Sequence, residues 1–324
     1  MDATETSGKQ AELPDYQAVC TAAKRIAPWI NQTPVMRSAS LDTIAGTKLY
    51  FKCENFQKTG AFKARGACNA VFSLPEDQLK AGVATHSSGN HGAALARAAK
   101  LRNAPAWVVM PHNANRAKRA AVEAWGANIV DCEASMASRL AVLEKIVSET
   151  GAHVVPPFHD ARIIAGQGTA ALELLAEHPD LDSIITPVGG GGLLAGSALA
   201  AHGCNPAIDV FGAEPSGNAD AQQSFQAGKV IAIEQPDTIA DGLRGTIGEL
   251  PLAVIKQHVR AIVTVDDAAI IRAMRLIWER LKIVVEPSAA IALAVMLEKR
   301  LDVAGNKVGI ILSGGNVDLD NLSI

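Results

Sequence analysis

The feature that most limits the architecture of this chain is a regular alternation of short β-branched runs with helical stretches. Strands are predicted at 48–53, 83–87, 106–110, 128–132, 153–155, 183–187, 209–213, 261–265 and 308–312. Helices are predicted between them, at 92–101, 117–125, 136–150, 169–177, 193–202, 268–281 and 289–299. Parallel strands need long crossovers, and a helix is the usual one. This order therefore predicts an α/β chain with parallel or mostly parallel sheets flanked by helices. The 324 residues are 48% apolar, enough for two domains that share this architecture. Residues 83–151 read as a smaller domain of three βα units, inserted into a larger one made of 14–82 and 152–324. Pro156-Pro157 forms a stiff exit, and 1–13 a solvated tail.

Charge and leader signals exclude several functions. The net charge is −3 and no basic block stands out, so nothing favours nucleic acid or an anionic membrane. Apolar runs such as 308–312 are strand-length, far short of a membrane span. The N-terminus lacks a basic region followed by an apolar one, which argues against a signal peptide and for a cytoplasmic protein. The five cysteines form no Cys-x-x-Cys pair and read as reduced thiols.

Four loops carry candidate chemistry. Lys63 sits in a mostly apolar turn-to-helix segment, Gln57-Lys58-Thr59-Gly60-Ala61-Phe62-Lys63. Burial strips an ammonium of hydration, lowers its pKa and makes it a usable nucleophile. Far downstream, Gly189, Gly190, Gly191 and Gly192 join a strand to a helix, where a backbone free of Cβ atoms can curl around phosphate. A nucleophilic lysine paired with a phosphate cradle points to a Schiff base with pyridoxal phosphate. Ser87-Ser88-Gly89-Asn90-His91-Gly92 opens a helix and suits an anion such as a substrate carboxylate, although ordinary capping explains it equally. Ser313-Gly314-Gly315-Asn316 follows a buried strand and reads either as a turn or as a hydroxyl aimed into a ligand crevice. Glu214, Asn218 and Asp220 are either a solvated acidic loop or hard oxygen ligands for Mg²⁺ or a similar cation. One rival remains open on these residues. Gly190, Gly192 and Ala195, with Glu214 ending the next strand, fit a nicotinamide-dinucleotide fingerprint and hence an NAD-dependent oxidoreductase.

Taken together, these strings resemble the fold type II pyridoxal-phosphate enzymes of the serine racemase and serine/threonine dehydratase branch, over nearly the whole chain. The strings Ala165-Gly166-Gln167-Gly168-Thr169, Ile239-Ala240-Asp241-Gly242 and Val285-Glu286-Pro287-Ser288 add to the likeness. The resemblance implies that Lys63 carries the cofactor, Phe62 stacks on its ring and Asn90 bonds its phenolic oxygen. It implies that the glycine tetrad holds the phosphate and that Ser313 bonds the ring nitrogen. It also implies a Mg²⁺ (or Ca²⁺ or Mn²⁺) site at Glu214, Asp220 and the carbonyl of Asn218, and a homodimer. The expected substrate is a small β-hydroxy amino acid (serine, threonine or 3-hydroxyaspartate), converted by β-elimination to a 2-oxo acid and ammonia. Ser87, Ser88, Asn90 and His91 would meet it, and Arg139 would meet a distal carboxylate. Ser88, as a second acid/base facing Lys63, makes an amino-acid racemase the alternative. Arg244 adds a cation to a loop where relatives are polar, and Gly245 departs from the serine found in serine racemase.

Overall fold

The computed structural model describes residues 13–87, 89–114, 116–303 and 305–319. The predicted tail 1–13, apart from Leu13, and Ser88 lie outside these described residues. In chain order the strands are β1 (Val35–Met36), β2 (Lys48–Cys53), β3 (Val83–His86), β4 (Ala106–Pro111), β5 (Asn128–Cys132), β6 (His153–Val154), β7 (Ser183–Pro187), β8 (Asp209–Pro215), β9 (Ala261–Val265) and β10 (Lys307–Leu312). They form a six-stranded sheet ordered β1-β2-β10-β7-β8-β9 and a four-stranded sheet ordered β5-β4-β3-β6. Every pairing is parallel except that of β1 with β2.

Strands buried on both faces read as near-continuous apolar runs. β10 shows this, since Val308, Ile310, Ile311 and Leu312 are all fully buried. Helices Asp267–Leu281 and Pro287–Leu297 cover one face of the large sheet through Ile270, Ile277, Ile291 and Val295. Helices Ala161–Glu177, Gly192–Cys204 and Glu249–His258 cover the other through Ile164, Leu174, Leu194 and Ile255. In the small sheet, successive side chains of β3 point to opposite sides, as a strand requires. Val83 packs with Leu95 of helix Asn90–Leu101, and Ala84 with Leu143 of helix Met136–Thr150.

Glycines at 166 and 168 shorten the predicted helix to 169–177, yet the observed helix runs Ala161–Glu177 through both of them. Asp160 caps it, its Oδ1 accepting from the Arg162 amide at 2.7 Å. Both glycines sit at helix crossings. A Cβ at position 166 would lie 2.6 Å from Gly66 Cα, and one at 168 would lie 2.5 Å from the Gly196 carbonyl oxygen. Packing at these points outweighs the low intrinsic helix propensity of glycine. The same crossing is tight from the other side, because a Cβ at 196 would meet the Ile164 carbonyl oxygen at 2.3 Å. Gly196→Ala is expected to destabilise the protein by roughly 1–3 kcal/mol through overpacking, and to lower its melting temperature in a calorimetric scan. An unchanged melting temperature would mean that the crossing yields easily.

Candidate active site

The loops that follow β3, β7 and β10 at their C-terminal ends line one cavity of about 650 Å³. Ligands of open parallel sheets bind at such ends. Lys63 opens helix Lys63–Phe72 and lines this cavity, its Nζ donating to the Pro157 carbonyl at 2.8 Å. It keeps some exposure because it faces the cavity, but protein crowds the amine. Loss of hydration pulls its pKa from 10.5 to about 8. The neighbouring Phe62 ring centroid lies 5.1 Å from Nζ.

The glycine tetrad bridges β7 and helix Gly192–Cys204, so the wall it forms is a helix N-terminus with free N–H groups. Gly191 takes φ +89°, a conformation suited to glycine. Gly190 is required by closeness instead, since a Cβ there would strike the Phe158 ring at 2.1 Å. The Phe62 amide donates to the carbonyl of Ser313 at 3.0 Å, so the serine after β10 and the lysine share one corner.

Asn90 is the first residue of helix Asn90–Leu101, and its amide is fixed at both ends. Nδ2 donates to both Glu286 carboxylate oxygens at 3.0 and 3.2 Å, and Oδ1 accepts from Asn316 Nδ2 at 2.9 Å. Burial, and then the charge of Asp241, push Glu286 up to about 7. Glu286, Phe158 and Pro157 belong to the site although sequence reasoning gave them no role. For Glu286 the signal was its place in the string Val285-Glu286-Pro287-Ser288, and for Pro157 the stiff Pro156-Pro157 pair. Ser87 lines the cavity, and its Oγ accepts from the Gly89 amide at 3.4 Å. His91 also lines it, with Nε2 3.0 Å from the Val155 carbonyl and Nδ1 unpartnered. Burial and the Lys63 charge hold its pKa near 3, so the ring is neutral.

Arg139, in the first turns of helix Met136–Thr150, lines the same cavity with a buried Nε that has no protein partner. His86 stands beside it, its pKa lowered by burial and then by Arg139. Arg244 lines the same cavity. Its Nε and Nη2 donate to the Thr238 carbonyl at 3.0 and 2.5 Å, so its guanidinium ties down its own loop.

The acidic residues form a separate, buried cluster. Glu214 and Asp220 are fully buried and Asn218 is 2% exposed, so the solvated-loop reading fails. Glu214 accepts from the amides of Ala221 and Gln222, and Asp220 from that of Ile247 at 2.7 Å. Burial pushes Glu214 up to about 8 and Asp220 to about 6, and the charge of Asp220 adds to the rise at Glu214. Gly217 lets this loop pass under Asp237, whose carbonyl oxygen would lie 1.7 Å from a Cβ there. The placement removes the dinucleotide reading, because Glu214 is buried and does not line the cavity.

Residues 26–314 match the family model described as pyridoxal-phosphate dependent enzyme. A serine racemase of Oryza sativa is 48% identical over 98% of this chain and 94% of its own length. A β-hydroxyaspartate dehydratase of Paracoccus denitrificans is 47% identical over 96% of this chain and 98% of its own. The structure of maize serine racemase superposes with a TM-score of 0.93 at 48% identity, covering 95% of each chain. The site fits the cofactor named in that family description. It offers a desolvated lysine, a helix N-terminus whose glycines a Cβ would fill, and a flanking aromatic ring.

Proposed function

The chain belongs to the pyridoxal-phosphate dependent enzyme family, and on that premise we propose that it is an ammonia-lyase removing the β-hydroxyl and amino groups of a small β-hydroxy amino acid, 3-hydroxyaspartate foremost. The observation that carries the substrate is the buried, unpartnered Nε of Arg139 in the cavity that also holds Lys63. A cation with an unused donor calls for an anionic partner, and serine and threonine have no second carboxylate to supply one.

When bound, pyridoxal phosphate supplies a covalent anchor for the substrate amine and a sink for the electrons left at Cα. Lys63 would hold it, and the tetrad amides would bind its phosphate without a counter-charge. Phe62 would cover the ring, and Ser313 would offer the ring nitrogen a neutral hydroxyl. Asn90, oriented by Glu286 and Asn316, would turn its amide group to the phenolic oxygen. Lys63, with its lowered pKa, can take the Cα proton as a neutral amine near physiological pH. Ser87 and the helix N-terminus at Asn90 and His91 would receive the α-carboxylate, while the neutral His91 ring, its Nε2 donating to the Val155 carbonyl, would hold that end of the helix in place. Loss of water across Cα–Cβ, followed by hydrolysis, leaves a 2-oxo acid and ammonia.

The test is an assay of 2-oxo acid with the 3-hydroxyaspartate stereoisomers, L-serine and L-threonine. No turnover of any of them would end the reading. Arg139→Gln is expected to raise KM for 3-hydroxyaspartate by about tenfold or more, the worth of one charge-assisted hydrogen bond, and to change KM for serine little. Equal effects on both substrates would remove Arg139 from recognition. The racemase reading draws support from the rice and maize relatives, both named serine racemase. Chiral chromatography after incubation with one enantiomer decides it. Ser88→Ala should then abolish racemisation while sparing elimination.

Glu214, Asp220 and the Asn218 carbonyl are proposed to hold a divalent cation, whose charge would relieve two buried carboxylates. In EDTA-treated protein, Mg²⁺ should raise the melting temperature, and more at about pH 9 than at about pH 6, where protons compete for the carboxylates. No shift at either pH would dismiss the cation. A cytoplasmic homodimer completes the proposal. Among the described residues no helix is long and apolar enough to cross a membrane. Exposed Phe56 and Val284 flank a bond from Asn55 to the Val284 carbonyl, and light scattering tests whether two copies meet.

A further inference from the structure

The first helix, Tyr16–Ile26, and the last residue of helix Gly192–Cys204 meet at a cluster that plays no part in the chemistry at Lys63. Tyr16 Oη lies 3.6 Å from Cys204 Sγ, across 188 residues of sequence. Cys20 stands one turn along the helix from Tyr16, on the same face. The ring is fixed over the end of the partner helix. A Cβ at Gly203 would come 2.1 Å from Tyr16 Cγ, so only glycine lets the ring lie there. Cys204 is exposed and Cys20 half-buried, whereas Cys53, Cys68 and Cys132 are buried.

We infer that Cys20 and Cys204 are a dithiol site for peroxide-class oxidants, closing reversibly into a disulfide that ties the first helix to the far end of the helix whose near end is the glycine cradle. Cys204, the more exposed thiol, reacts first. Its thiolate attacks one peroxide oxygen, the O–O bond breaks, and the leaving oxygen departs as water or an alcohol. The Cys20 thiolate then attacks the sulfenic sulfur, forming the S–S bond and expelling water. Two thiols lose two electrons and two protons, and the peroxide gains them. The helix C-terminus at Cys204 disfavours a thiolate, and a neutral phenol donating to the sulfur offsets this. Tyr16 suits that role. The bond to Cys204 and then the nearby Cys20 thiol push its pKa above the ordinary value, so it keeps its proton while a thiol loses one.

The test uses the cofactor-loaded protein, treated with a few equivalents of hydrogen peroxide, alkylated, and mapped by mass spectrometry under non-reducing conditions. The expected product is one linked pair of peptides carrying Cys20 and Cys204, two hydrogens lighter than the free pair and released by dithiothreitol. Cys53, Cys68 and Cys132 should alkylate only after unfolding. Tyr16→Phe should slow the linkage several-fold, and Cys20→Ser should leave a Cys204 sulfenic acid that dimedone traps. Full alkylation of both cysteines after oxidation would overturn the inference. So would a Cys204–Cys204 link between two copies, seen as a covalent dimer on a non-reducing gel.

Discussion

Lys63→Ala will give a folded protein that turns over no β-hydroxy amino acid and retains no covalently held cofactor. Folding should survive because the side chain makes a single hydrogen bond, to Pro157, and alanine suits the first turn of a helix. Activity should fall by at least about 10⁴-fold, since proton transfer by a positioned base alone contributes up to that much and the covalent anchor is lost with it. Lys63→Arg should not rescue, because a guanidinium stays protonated and cannot act as nucleophile or base. The lowered pKa gives the prediction a pH signature. Attachment needs the neutral amine, so cofactor incorporation into stripped protein should rise tenfold per pH unit below about 8 and level off above it, not near 10.5. The check is mass mapping after borohydride reduction, beside the 2-oxo acid assay. A label on Lys118, which also lines the cavity and pairs with Asp241, would move the chemistry to another residue.

What could be seen in the chain beforehand follows the range of the interactions involved. The parallel α/β architecture is legible because buried strands and covering helices are local patterns. The glycine tetrad is legible because four adjacent residues without Cβ atoms have few structural uses. The helix over 161–168 is not legible, because Gly166 and Gly168 lower local propensity and the partners that reward them, Gly66 and Gly196, are distant in sequence. The two-residue strand β1 is too short to show a period. Arg244 is legible as a cation near the site, which it lines, but its bonds to the Thr238 carbonyl are not, because they form only when the loop folds. Glu286 is the clearest omission, since its role rests on Asn90, 196 residues away. Burial of the Glu214 and Asp220 pair is likewise invisible, because acidic residues beside glycine and asparagine look like a solvated turn.

The same range argument governs the largest stability effect expected, that of Arg65→Ala. Arg65 lies two residues after Lys63, is fully buried, and has its guanidinium donors divided between two carboxylates. Nε and Nη2 reach Glu54 at 2.7 and 2.8 Å, and Nη1 and Nη2 reach Glu173 at 2.7 and 2.8 Å. Lys52 closes the network with bonds of 2.7 Å to Glu173 and to the Thr33 carbonyl, and the Thr33 hydroxyl donates to Glu54 at 2.6 Å. Truncation leaves fully buried Glu54 without a counter-charge, and breaking such a pair from one side costs about 3–5 kcal/mol. Arg65→Lys keeps a charge but loses the planar fork, so its melting temperature should fall between those of Arg65→Ala and the parent. The pH dependence has a definite sign. Burial raises the Glu173 carboxyl, and Arg65 and Lys52 outweigh that and leave it below its ordinary range. A depressed carboxyl stabilises the fold above its unfolded pKa and loses that contribution as pH falls through the folded one. The gap between parent and Arg65→Ala should therefore be widest near neutrality and shrink in acid. Because the network pins the helix that begins at Lys63, an Arg65→Ala protein folded at low temperature should also load cofactor more slowly than the parent. Melting curves that coincide at neutral pH would show that neither the packing of this helix nor the placement of Lys63 depends on the network.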